Sequence, residues 1–188
     1  SYEANDEFLK EYADFLNKQK KEFVPEFSYK KSIKTNFMQE KALQKLEELR
    51  EKKEKKALVI AATGSGKTYL SAFDVKKLQP KTLLFLVHRE NILLSAKKSF
   101  ETILGDSFTY GLYTGNKKEE DKNYIFSTIQ TMNNSFSNFP QNHFDYIIVD
   151  EAHHVTSPSY KKVIEYFKAK FLLGLTATSN RMDGNSIY

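Results

Sequence analysis

A short apolar run that leads into a glycine-rich turn and then a helical pattern constrains this chain more than any other feature. The run spans residues 57–60, and the turn at residues 61–68 reads AATGSGKT. Because glycine adopts backbone angles that other residues avoid, Gly64 and Gly66 allow successive N–H groups to point inward around a polyphosphate. Lys67 can then reach the terminal phosphates, and the Thr68 hydroxyl can ligate Mg²⁺. The sequence therefore predicts a phosphate-binding loop between a buried strand and a helix.

The predicted nucleotide-binding residues of this loop are Thr63, Gly64, Ser65, Gly66, Lys67 and Thr68. The loop departs from the usual G-x-x-x-x-G-K-[ST] pattern at one position, where Ala61 replaces the first glycine. A glycine-rich turn with an incidental lysine is the alternative, and the strand before it and the helix after it argue against that alternative.

From residue 57 onward, short apolar runs alternate with amphipathic segments, which is typical of a parallel sheet with crossover helices. The expected strands lie near residues 57–62, 82–87, 107–112, 123–127, 144–149 and 170–175. The expected helices lie near residues 67–78, 90–103, 129–136 and 158–168. Before them we expect an amphipathic helix in residues 1–22, a connector to residue 35, and a helix over residues 37–53 capped by Asn36. The prediction is an α/β domain at residues 36–188, a mainly parallel sheet sandwiched by helices, with residues 1–35 as an N-terminal helix and connector.

Composition excludes several classes of protein. The 188 residues include no cysteine, which rules out a disulfide framework and a thiolate metal site. No apolar run approaches the roughly 20 residues that span a bilayer, and no secretory signal pattern opens the chain. These features predict a cytoplasmic protein with no membrane partner. The net charge of +5 permits a polyanionic partner but is weak evidence for one, because acids are interleaved with the bases.

A second motif carries the expected chemistry. Residues 144–149 have the composition of a strand and end at Asp150-Glu151-Ala152-His153. If this strand neighbours the one before the phosphate loop, Asp150 can hold Mg²⁺ through water while Glu151 orients and deprotonates the attacking water. The candidate catalytic residues are thus Lys67, Asp150 and Glu151, and the candidate magnesium ligands are Thr68 and Asp150. A solvated acidic turn is the alternative.

Two histidines follow the acidic pair. His153 and His154 have neither the i, i+4 helical spacing of a zinc protease nor a thiolate partner, so their spacing does not favour zinc. A histidine beside a nucleotide site is better suited to hydrogen-bond with another motif.

With AATGSGKT, the DEAH at residues 150–153 and the LTAT at residues 175–178, the chain resembles the first RecA-like motor domain of superfamily 2 DEAD/DEAH-box helicases, P-loop NTPases. Its strongest likeness is to ATPases related to restriction-enzyme R subunits. The resemblance implies that His153, Thr176 and Thr178 couple ATP hydrolysis to movement against a second motor domain. Ser179 stands where proline is usual in such proteins.

The resemblance also assigns contacts. Gln39, in a segment similar to the family's Q motif, is the expected adenine contact, although a glutamine at a helix start is ordinarily a surface residue or a cap. Loop segments similar to later motifs supply the expected nucleic-acid contacts, with structural capping as the alternative role. These residues are His88, Arg89, Thr114, Gly115 and Thr128.

Together these features predict an ATP hydrolase that uses ATP and Mg²⁺ to move on or unwind nucleic acid, DNA more than RNA. The arginine finger of such sites belongs to a second RecA-like domain in the family, so we expect little activity from this fragment alone. One alternative is a nucleotide-gated nucleic-acid-binding module of a restriction-type complex that separates no strands. Another is a small-molecule kinase, although residues 113–143 are too rich in asparagine and serine to supply an obvious lid.

Overall fold

The computed structural model describes residues 33–177, which contain six strands and five α-helices. The predicted N-terminal helix and Thr178 lie outside the described residues, and the division of the chain at residue 35 stays a prediction. The helices are α1 Phe37–Glu51, α2 Lys67–Leu78, α3 Glu90–Leu104, α4 Ile129–Ser135 and α5 Pro158–Tyr166. The strands are β1 Lys56–Ile60, β2 Leu83–Val87, β3 Tyr110–Tyr113, β4 Tyr124–Thr128, β5 Tyr146–Asp150 and β6 Phe171–Thr176.

All six strands belong to one parallel sheet, in the order β1-β6-β5-β2-β4-β3. Parallel strands need crossover connections, and each connection contains an α-helix except the one from β3 to β4, where residues 114–123 join the two strands without one. The predicted fold class is confirmed, and each predicted strand and helix within the described residues is present with its ends shifted by a few residues. Among these residues, no helix combines the length and the hydrophobicity needed to cross a membrane.

One premise of the sequence-based prediction is wrong. The strand that carries Asp150 does not neighbour β1, because β6 pairs with both of them and lies between them. Ile60 is in register with Thr176, and Asp150 is in register with Leu175. Hydrophobic pattern identifies a strand but carries no information about which strands lie beside it in the sheet.

Helices cover both faces of the sheet. On one face, Leu46 of α1, Val75 of α2 and Phe100 of α3 join a buried cluster with Phe85 of β2. The other face is covered by α4 and α5, which bury a second cluster against alternate residues of the same strands. The central strand β2 is therefore buried along its whole length, as expected for a parallel strand between two helical layers.

Residues 113–143 do not form a lid over the cleft. They include β4, which is buried throughout between β2 and β3, and α4, which packs against α5. None of these residues lines the cleft beside the phosphate loop, which removes the structural basis of the kinase alternative.

Candidate nucleotide-binding site

The phosphate loop connects the end of β1 to the start of α2. Gly64 and Gly66 have φ angles of 78° and 80°, in the left-handed region where glycine avoids the Cβ clash of other residues. Gly66 occupies the N-cap of α2, where no side chain caps the helix. The first N–H groups of this 12-residue helix therefore face the loop and favour an anion there.

Lys67 folds back over the loop. Its Nζ donates to the carbonyl oxygens of Ala61 and Ala62 at 2.9 and 3.1 Å. These two contacts hold the ammonium group beside the turn in which phosphates would lie, so the predicted role of Lys67 requires only a change of hydrogen-bond partner.

The loop forms one wall of a cleft of about 360 Å³, a volume within the usual range of small-molecule sites. The opposite wall comes from the ends of β5 and β6. The lining residues are Thr63, Gly64, Gly66, Lys67, Thr68, Tyr69, Ser99, Asp150, Glu151, His153, Thr176 and Ala177. Most of the predicted site residues thus share one cleft, although Ser65 and Gln39 do not line it. Tyr69, Ser99 and Ala177 were missed, and only Tyr69, which follows the loop directly in α2, had a positional signal in the sequence.

The acidic pair lies at the carboxyl end of β5. Burial raises the pKa of the Asp150 carboxyl above its ordinary value, although the Glu151 N–H that donates to its Oδ1 at 2.9 Å acts in the opposite direction. Glu151 has φ 55° and ψ 51°, a left-handed conformation that is uncommon for residues other than glycine. The chain leaves β5 at this residue and enters a 3-10 turn at residues 152–154.

The predicted coupling residues that the structure describes are in contact. His153 Nδ1 lies 3.3 Å from Thr176 Oγ1, and the Ala61 N–H donates to the Thr176 carbonyl at 3.0 Å. The end of β6 therefore touches both the start of the phosphate loop and the histidine of the acidic motif.

Gln39 contacts the phosphate loop directly. Its Oε1 accepts from the Asn36 N–H at 3.0 Å, which completes a capping box at the start of α1, and its Nε2 donates to the Gly66 carbonyl at 3.3 Å. The adenine contact stays a prediction. The Asn-x-x-Gln spacing could have indicated the capping box, but nothing in the sequence indicated the partner at Gly66.

The predicted nucleic-acid residues lie at the carboxyl ends of β2, β3 and β4, which are neighbours in the sheet. His88, Arg89 and Gly115 are exposed there. Thr114 and Thr128 are buried, and their hydroxyl oxygens accept backbone N–H groups from Lys117 and Thr131, both at 3.3 Å. The helix-capping role that was the alternative is thus observed for Thr128, while Thr114 stabilises a turn that no helix follows. Nucleic-acid contact stays a prediction for all five residues.

The parallel sheet, the phosphate loop and the acidic pair across the cleft define a RecA-like P-loop domain, and the matching family and helicase relatives confirm the resemblance to superfamily 2 helicases. The family described as "Type III restriction enzyme, res subunit" matches residues 32–181, and the chain belongs to this family.

Two relatives illustrate the similarity. The irc3 protein of Schizosaccharomyces pombe, which carries the name of a mitochondrial ATP-dependent helicase, is 32% identical over 149 residues that cover 69% of this chain and 23% of that protein. The DNA 3'-5' translocase XPB2 of Sulfurisphaera tokodaii is 30% identical over 134 residues, covering 70% of this chain and 29% of that protein. The chain thus spans less than a third of either relative.

Solved structures share the fold at lower identity. The SWI2/SNF2 ATPase core of Sulfolobus solfataricus, solved with double-stranded DNA, superposes with a TM-score of 0.63 at 20% identity, covering 78% of this chain and 33% of that one. The Type ISP restriction-modification enzyme LlaGI, solved with a DNA substrate mimic, gives a TM-score of 0.59 at 22% identity, covering 78% of this chain and 18% of that one.

Proposed function

We propose that this domain binds ATP and Mg²⁺ in the cleft between the phosphate loop and the acidic pair, and that the protein uses ATP hydrolysis to move on nucleic acid. The observation that carries the proposal is the shared cleft, in which Lys67 and Thr68 face Asp150 and Glu151. A phosphate loop alone would indicate only nucleotide binding, whereas a carboxylate on the opposite wall can also deprotonate the attacking water.

The residues divide the chemistry between the two walls. The N–H groups of the loop and Lys67 hold the β- and γ-phosphates. Glu151 accepts a proton from the water whose oxygen attacks the γ-phosphorus, as the bond from phosphorus to the β,γ-bridging oxygen breaks. Thr68 and Asp150 fit a magnesium site, because a hydroxyl and a partly buried carboxylate are the hard oxygen ligands that this ion prefers. Bound there, Mg²⁺ would neutralise charge on the phosphate oxygens.

Coupling to movement rests on β6. The contact between His153 and Thr176 lets a change at the acidic motif reach the end of β6, from which the chain continues to Thr178. We propose that a second RecA-like domain receives this change and contributes an arginine finger, whose absence lowers turnover by about a thousandfold or more. The described domain alone should then bind nucleotide and hydrolyse it slowly.

The exposed residues at the ends of β2 and β3, His88, Arg89 and Gly115, support a nucleic-acid contact on the same edge of the sheet as the cleft. Cationic side chains and backbone groups at this edge can contact phosphates. Such contacts position a nucleic-acid strand without reading its sequence. We propose DNA as the partner, because DNA appears in the names of XPB2 and of both solved structures. A cytoplasmic location stays a prediction from the sequence.

The decisive test is ATP hydrolysis by the full-length protein with single-stranded and double-stranded DNA and RNA as stimulants. Glu151→Gln should retain ATP binding and lose hydrolysis, while Lys67→Ala should weaken binding itself because the phosphate charge loses its partner. Glu165→Gln, which changes the same side chain in an exposed ion pair on α5, is the matched control and should behave as the wild type. Hydrolysis that persists in Glu151→Gln would remove the assigned base.

Strand displacement separates the proposal from its nearest alternative. A motor that unwinds DNA releases a labelled strand from a duplex, and one that only translocates displaces a bound protein or a triplex strand. If nucleotide changes DNA affinity and neither displacement occurs, the domain is a nucleotide-gated binding module.

A further inference from the structure

Three side chains that can ligate a metal converge beside the phosphate cleft. Glu151, His153 and His154 each offer one ligand atom, and these atoms all lie within 4.8 Å of one another. The Nε2 of His154 is 4.0 Å from Oε2 of Glu151, and these side chains are 44% and 42% exposed, so an ion from solution can reach both.

The backbone explains why sequence spacing did not indicate this group. The spacing typical of zinc proteases is an i, i+4 pair on an α-helix, whereas residues 152–154 form a 3-10 turn. This tight turn brings the chain back after three residues, so that Nε2 of His154 lies 4.0 Å from Oε2 of Glu151. The His154 N–H donates to the Glu151 carbonyl at 3.0 Å and closes this turn, and the left-handed angle of Glu151 sets where its carboxylate points.

The surroundings provide support for imidazole ligands. The ring centroid of His154 lies 4.0 Å from that of His153 and 5.2 Å from that of His88, which stacks on it. The contact of His153 Nδ1 with Thr176 Oγ1 leaves Nε2 as the ligand atom when Nδ1–H is donated to this hydroxyl. Ligating histidines commonly use the second ring nitrogen in this way, which fixes the ring's orientation and tautomer.

We propose that Glu151, His153 and His154 form a site for Zn²⁺ or a similar first-row transition ion, and that its occupation inhibits the domain. Two imidazoles and a carboxylate are a ligand set that zinc uses, with the fourth position left to water. Adjacent ligands around tetrahedral zinc lie roughly 3.4 Å apart, so the three side chains need to close by about 1 Å. Magnesium, a hard ion that prefers oxygen, is not expected to compete for the imidazoles.

The inhibitory part rests on the proposed function. A carboxylate bound to Zn²⁺ is a much weaker base, so binding of the ion by Glu151 opposes the role assigned to it. His153 is held by the same ion and loses freedom to change its contact with Thr176. Zinc binding itself depends on neither role.

Binding is tested without nucleotide, by titrating Zn²⁺ into the full-length protein in a calorimeter or against a chromophoric chelator. His154→Gln should lower zinc affinity at least tenfold, and His143→Gln, which changes a histidine at the opposite end of β5, should not. The melting temperatures of both variants without metal report on folding. Equal affinity in the two variants and the wild type would show an adventitious ion only and would overturn the proposal.

Inhibition is tested by titrating Zn²⁺ into ATP hydrolysis with Mg²⁺ in excess. His154→Gln should keep basal turnover, because His154 has no assigned role in hydrolysis, and should need at least tenfold more zinc for half-inhibition. Equal inhibition of both proteins would overturn the regulatory claim. An absence of hydrolysis without zinc would contradict the proposed function, while the binding titration would still decide whether the site exists.

Discussion

The buried ion pair between α1 and α2 gives the sharpest prediction of stability. Arg50 donates to both carboxylate oxygens of Asp74, at 2.9 and 2.7 Å, and Tyr146 of β5 donates its hydroxyl to the same carboxylate at 2.7 Å. The Asp74 side chain is fully buried and the Arg50 side chain is 17% exposed. Arg50→Met keeps the methylene stem but leaves a buried carboxylate with one donor. Removing one partner of such a pair costs about 3–5 kcal/mol of the free energy of unfolding.

That loss is large compared with the roughly 5–15 kcal/mol by which domains are stable. At about 2–4 °C per kcal/mol for a chain of this size, the melting temperature should fall by roughly 6–20 °C. Urea unfolding followed by circular dichroism measures the free energy directly. Tyr146→Phe removes one hydrogen bond to a charged group and should cost about 1.5–3 kcal/mol.

The matched control joins the same two helices at the surface. Lys77 of α2 pairs with Glu47 of α1, and these side chains are 52% and 46% exposed. Lys77→Met should cost under about 1 kcal/mol, because exposed ion pairs gain little over hydration. Equal losses of the free energy of unfolding in Arg50→Met and Lys77→Met would show that burial does not decide the strength of these ion pairs, and would refute the prediction.

Three further predictions concern the cleft. Gly66→Ala should weaken binding of a fluorescent ATP analogue at least tenfold, because alanine is strained at a φ of 80° and the new Cβ, 2.8 Å from Nε2 of Gln39, would also push that flexible side chain off the Gly66 carbonyl. Gly64→Ala is the control, because its new Cβ would meet no atom within 4 Å and only the strain of a φ of 78° remains. If both variants lost the same affinity for the ATP analogue, the contact with Gln39 would have no role. Gln39→Ala should lower stability by about 1 kcal/mol through the lost capping box, and reduced discrimination of ATP from GTP would support its adenine role. Asp150→Asn should raise the melting temperature of the nucleotide-free protein at pH 7, because burial raises the Asp150 pKa above 3.8 and its charge disfavours the folded state above that raised pKa. This gain should vanish as the pH falls below about 4, where the wild-type carboxyl is protonated in both states, and a gain independent of pH would contradict it.

Local chemistry explains what could be predicted from the sequence. The elements follow from hydrophobic pattern, as in Leu83–Val87, whose five apolar residues become a strand buried along its length. The phosphate loop follows from glycines at positions that require positive φ. In both cases the information lies within about a dozen consecutive residues.

Contacts between distant segments could not be predicted in this way. The hydrogen bond from Gln39 to Gly66 spans 27 positions and that from Tyr146 to Asp74 spans 72. Each depends on how helices pack on the sheet, which a single sequence does not specify. The cluster of Glu151, His153 and His154 is local in sequence, yet it depends on a left-handed residue and a 3-10 turn. The left-handed residue is a glutamate and not a glycine, so the sequence did not indicate this backbone.

The position of β6 explains how the site can bind nucleotide and also transmit a change through Thr176. With β6 between them, β1 and β5 lie two strand spacings apart, roughly 9.5 Å, so the phosphate loop and the acidic pair face each other across an open cleft. In the described part of the chain, Lys67 accordingly forms its hydrogen bonds to loop carbonyls and no ion pair with Asp150. Direct adjacency of β1 and β5 would favour such a pair and would displace Thr176 from the centre of the site. The interposed strand instead brings Thr176 against both walls, through the Ala61 N–H on one side and His153 on the other. A ligand that moves either wall must therefore change a contact of Thr176, so Thr176→Ala should uncouple DNA stimulation from hydrolysis more than it lowers ATP binding.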